Sequence, residues 1–155
     1  CLYAASTLYH YAADIRLKSK LRIFDHVSIF YLIAGSYAPI CLITLYDGSG
    51  VEIFIAVLAI ALIGTVFKIF FTGKFEKLSL ALYLAMGWLV ILDFKSVFNV
   101  LEFNGLLLLI LSGLFYSFGT VFYSLGKMKY SHAIWHLFVL GGSISHYLLV
   151  LFYII

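Results

Sequence analysis

Charge is scarce in this chain. Lys and Arg number 10 and Asp and Glu 7, so 11% of the 155 residues are charged. A soluble domain carries about 25%, which excludes an ordinary soluble fold. The net charge of +3 comes from scattered Lys and Arg. With no basic stripe, nucleic acid is excluded as a partner. Cysteine is nearly absent: Cys1 opens the chain and Cys41 lies in an apolar run, so neither a disulfide framework nor a cysteine metal site is expected. Pro39 is the single proline, so long helices are expected, with one kink in the second apolar segment. No charged region precedes the first apolar stretch, so no signal peptide is expected. A start at Cys with a short first apolar stretch reads as the interior of a longer protein.

What is present is apolar length. Hydrophobic residues make up 65% of the chain and aromatic ones 19%, the composition of an integral membrane protein. Six apolar segments stand out: Cys1–Ala13, Ile23–Leu45, Val51–Phe71, Leu78–Leu92, Gly105–Leu125 and Ser131–Ile155. A spanning helix needs about 20 residues. The first is a partial span, and the fourth is expected to extend to about residue 97.

Loop charge alternates. Asp14–Arg22 holds Arg16, Lys18, Lys20 and Arg22, whereas Tyr46–Gly50 holds neither Lys nor Arg. Lys74 and Lys77 lie in the next loop, with Lys68 just inside the preceding span. Lys95 lies between Asp93 and Glu102, and Lys127 and Lys129 lie in the last loop. The positive-inside rule places the first, third and fifth loops in the cytoplasm and the C-terminus outside. Short loops predict one all-α bundle over residues 1–155. Gly35, Gly64, Gly87, Gly113, Gly119, Gly141 and Gly142 are its expected close-contact positions.

This topology brings histidines to one depth. His132 and His136 are four residues apart, hence about 6 Å along one helix face, a spacing that can chelate one metal ion. His10, Asp25 and His26 fall at the same cytoplasmic level from two other segments. Ionisable residues inside a membrane are costly and need a role. A lone intramembrane histidine is ordinarily a hydrogen-bonded structural residue, but several at one depth predict a metal site. Its expected ligands are His10, His132 and His136, with a fourth position open as in catalytic zinc.

Asp25 is the expected proton acceptor for a water activated there; its plain alternative is a salt bridge to Arg22 or another loop cation. Ser6, one turn from His10, is placed to bond that water or a substrate oxygen, or else a carbonyl of its own helix. His26 points about 100° away from Asp25 and reads as structural or supporting. His146, about 15 Å deeper than His136, is expected to bond between helices.

These positions carry a family resemblance. Ser6-Thr-Leu-Tyr-His10 resembles the Ser-x-x-x-His motif of the hemolysin III and progestin/adipoQ receptor (PAQR) family. Phe24-Asp25-His26 with Tyr31-Leu-Ile-Ala-Gly-Ser-Tyr-Ala-Pro39 is similar to its second signature. His132-Ala-Ile-Trp-His136, followed by His146, is similar to its last-span motif. The Asp25-His26 pair and compact loops resemble the bacterial hemolysin III branch.

The resemblance implies a seven-helix membrane protein whose second to seventh spans are present, in a bacterial plasma membrane. It implies zinc on His10, His132 and His136, with Ser6 and Asp25 beside the bound water, and a lipid amide or ester as substrate among membrane lipids. A receptor with structural zinc, a pore and a haem electron carrier are the competing readings. The haem reading gives Asp25 and Ser6 no role. The pore reading lacks a polar stripe along any helix.

Overall fold

The computed structural model describes residues 2–125 and 128–155; Cys1, Gly126 and the expected loop cation Lys127 lie outside the described residues. Among the described residues every element is helical. Five helical runs are long and apolar enough to cross a bilayer: Ile15–Thr44, Gly50–Phe71, Glu76–Val100, Phe103–Ser124 and Ser131–Tyr153. The first apolar stretch forms only α1, Leu2–Tyr11. At 1.5 Å per residue it is about half the thickness of the hydrocarbon layer.

The basic segment 14–22 is not a loop, as its charge suggested. Asp14 accepts from the Leu17 N–H at 2.7 Å and caps α2, Ile15–Pro39. A side-chain oxygen at this position satisfies one of the free donors of the first turn, and the Arg, Leu and Lys residues that follow are good helix formers. Asp25 and His26 therefore sit about three turns into a long helix rather than in its first turn. Pro39 does interrupt the helix. The Ile40 N–H turns to the Tyr37 carbonyl, and the chain continues as a π-helical turn, Ile40–Thr44.

After α3, Gly50–Phe71, the expected fourth span is a composite. It comprises α4 (Glu76–Gly87), a 3-10 turn (Leu89–Asp93) and α5 (Phe94–Val100). The expected loop after Asp93 is mostly this last helix, because the Asp93 carboxylate caps it through the Ser96 N–H. The break after Gly87 is stitched from α2: the Tyr37 hydroxyl donates to the Gly87 carbonyl at 2.8 Å and accepts from the Val90 N–H at 3.0 Å. The last two spans, α6 (Phe103–Ser124) and α7 (Ser131–Tyr153), lie close to their expected limits.

Glycine sets two of the closest helix approaches. A Cβ on Gly64 would lie 2.2 Å from the Phe30 ring, and one on Gly142 would lie 2.8 Å from Tyr116. Gly35 and Gly87 do not serve this way, having nothing within 4 Å of an added Cβ. The main core gathers Phe30, Val57, Met86 and Leu149 from α2, α3, α4 and α7. Large apolar side chains such as Ile63, Phe70, Phe118 and Leu137 face outward, as lipid contact requires. Between α2, α4, α6 and α7 lies a cavity of about 410 Å³.

A candidate metal centre at the mouth of the cavity

Three histidines meet where α1 ends and α7 begins. The Nε2 atoms of His10 and His132 are 3.0 Å apart, and those of His136 and His132 are 3.1 Å apart. The three residues offer ligand atoms all within 4.8 Å of one another. The pairing on α7 follows from four-residue spacing, and α1 delivers His10 from its last turn. Tyr9 and Trp135 flank the imidazoles, with ring centroids 4.9 Å from His10 and 4.5 Å from His136.

The donor set fits a cation better than it fits hydrogen bonding. A ring nitrogen carries either one proton or one lone pair. His132 Nε2 faces two nitrogens and can share a proton with only one of them. A metal ion accepts all three lone pairs at once. Tetrahedral Zn–N bonds of about 2.0–2.1 Å hold neighbouring ligand nitrogens about 3.3 Å apart, close to the separations found.

Asp25 and Ser6 are buried beside this group. The Ser6 hydroxyl and the His10 ring lie close enough to the Asp25 carboxylate to act on it electrostatically. Arg22 pairs with Glu76 instead, and among the described residues no salt bridge reaches Asp25. Nor does Asp25 belong to the group that can ligate one ion among the described residues. Its oxygens remain available for proton transfer, and it lines the cavity with His10 and His132.

His26 and His146 stay outside the triad. His26 Nδ1 lies 3.8 Å from Glu76 Oε1. Glu76 anchors a charge network that the loop reading missed: it accepts from Lys68 Nζ at 3.0 Å and from the Gly73 N–H at 3.1 Å. Lys68 is fully buried. The sequence signal was an acid eight residues beyond an intramembrane lysine, across a glycine turn. His146 lines the cavity from α7, and its Nε2 does not make the interhelical bond expected of it, having no partner among the described residues.

The family model described as Haemolysin-III related matches residues 1–147. The chain belongs to that family. Among Haemolysin-III relatives, the Hemolysin-3 homolog of Bacillus subtilis (strain 168) is 46% identical over 152 residues, covering 98% of this chain and 71% of the relative. Hemolysin-3 of Bacillus cereus is 42% identical over 154 residues, covering 99% and 70%. The monocyte to macrophage differentiation factor of Homo sapiens is 34% identical over 158 residues, covering 94% and 63%. No solved structure matches the chain. This Haemolysin-III chain is thus an integral, multi-pass membrane protein with a three-histidine group able to hold a metal ion.

Proposed function

We propose that the protein is a zinc-dependent intramembrane hydrolase of a lipid amide or ester. The observation that carries this reading is the convergence of three Nε2 atoms beside a buried carboxylate at the mouth of a largely apolar cavity. His10, His132 and His136 hold the ion, which when bound supplies Lewis acidity and brings the pKa of a water towards about 7. The cavity takes the apolar part of the substrate, so the scissile carbonyl rests at the mouth. Asp25 accepts a proton from the attacking water as the new C–O bond forms. It returns that proton to the departing amine or alcohol as the C–N or C–O bond breaks. The Ser6 hydroxyl orients the carboxylate for both transfers. The basic residues around this end, Arg22, Lys74 and Lys77 among them, support a cytoplasmic mouth and an external C-terminus.

Metal analysis of the purified protein tests the site. About one zinc per chain is expected, lost in His132→Ala and in His136→Ala; a metal-free wild type overturns it. Release of fatty acid from a fatty amide by the zinc-loaded protein tests the reaction separately. A second reading comes from the relatives, two of which are named for haemolysis: conductance steps in a planar bilayer, without lipid hydrolysis, would favour it.

A further inference from the structure

Deeper than the triad, the cavity wall keeps its polar groups to itself. Ser36, Ser112, Ser117 and Thr120 each donate to a carbonyl of their own helix at 2.7 Å. The Tyr37 hydroxyl is held between Gly87 and Val90, and Tyr116 pairs with Ser143 at 3.0 Å. These hydroxyls are paired inside the protein, so the wall presents a largely apolar surface to any occupant.

His146 is the exception. Its ring lines the cavity, yet His146 Nε2 is the one buried side-chain polar atom without a partner among the described residues. A neutral imidazole nitrogen either donates or accepts, and a hydroxyl can do both, so a hydroxyl meets Nε2 in either tautomer. Buried polar groups in folded proteins are nearly always paired, and an orphan calls for a missing partner. A buried water needs two to four partners, and Nε2 supplies one of them. A hydroxyl fixed on a lipid chain brings a single proton and is held in place by the rest of its molecule. The χ2 torsion of histidine is broad, which lets the ring tilt to meet such a donor.

The geometry points to His146 as a second polar subsite, taking a hydroxyl carried part-way along an otherwise apolar lipid. The subsite lies ten residues beyond His136 on α7, about 15 Å along the axis. This inference rests on the lipid-binding part of the proposed function and not on hydrolysis.

The probes are ricinoleic acid and oleic acid, which differ by one hydroxyl part-way along the chain. Trp88 and Trp135 both line the cavity, so intrinsic fluorescence of the zinc-loaded protein in detergent reports occupancy. Wild type is expected to bind ricinoleic acid roughly two- to tenfold more tightly, the worth of one hydrogen bond. His146→Leu is expected to bind oleic acid at least as well and to lose the preference. Equal affinity in the wild type overturns the subsite, as does a preference that survives His146→Leu. Should the leucine variant not fold, the wild-type pair decides alone. Failure of both acids to bind overturns the lipid cavity as well. A preference for ricinoleic acid without turnover of any lipid overturns only the hydrolase.

Discussion

Two aspartates at opposite ends of the bundle differ in how fully they are occupied. Asp93, at the joint between the 3-10 turn and α5, accepts from the Ser49 hydroxyl on Oδ2. On Oδ1 it accepts from the Ser96 hydroxyl at 2.6 Å and from the Ser96 N–H at 3.4 Å. Its bonds join the start of α3 to the start of α5. Asp25, on α2, is more deeply buried, and the Ser6 hydroxyl lies beside it. A carboxylate has room for about four hydrogen bonds. One that spends them on neighbours holds the fold together, and one that keeps them free beside a metal group and a cavity can move a proton.

Exchanging each carboxylate for its amide breaks or sharpens that comparison most directly. Asp25→Asn is expected to retain zinc and lose about 10²- to 10⁴-fold in turnover, the usual scale of a positioned acid–base group. Asp93→Asn is expected to keep turnover and lower the unfolding temperature, because the bonds that join α3 to α5 are weakened. Equal turnover in the two variants would erase the distinction.

The charge network contains a third carboxylate, Glu76, which sits between these extremes. Lys68→Met removes the cation of a buried pair, and about 2–3 kcal/mol of stability is expected to go with it, the pair being buried on one side only. The double variant Lys68→Met/Glu76→Leu is expected to recover part of that loss, because it leaves no unpaired charge. A double variant no more stable than the single one would mean that the pair contributes more than mutual compensation.

The smallest effect is expected at Ser6. Ser6→Ala should leave zinc content unchanged and lower turnover by roughly tenfold or less, the value of one hydrogen bond to the carboxylate. A loss as large as that of Asp25→Asn would make the serine a direct participant.

Much of this arrangement was legible in the residues. Long apolar runs mark the spans, and topology then brings His10, His132 and His136 to one level, because short connections leave alternate helix ends adjacent. Helix starts were harder to read. Arg16, Lys18, Lys20 and Arg22 look like a loop by charge, yet Asp14 caps a helix there, and lysine and arginine favour helix as readily as solvent. The Lys68–Glu76 pair stayed hidden because only Lys68 stands out in the sequence, as a charge just inside a span, and burial depends on which neighbouring helix covers a residue. The division of the fourth span into α4, a 3-10 turn and α5 was hidden for a related reason. Neither Gly87 nor Trp88 forbids helix, and the tyrosine that supports the break is distant in sequence.

That tyrosine makes one phenolic oxygen a shared hinge pin. Tyr37 closes the gap between Gly87 and Val90 from outside their helix, in a wall that also bounds the cavity. A span broken in an apolar medium exposes backbone groups that lipid cannot satisfy. By meeting one donor and one acceptor at once, Tyr37 satisfies both backbone groups from within the protein. The wall of the chamber behind the three histidines thus depends on a helix that contributes no ligand to them.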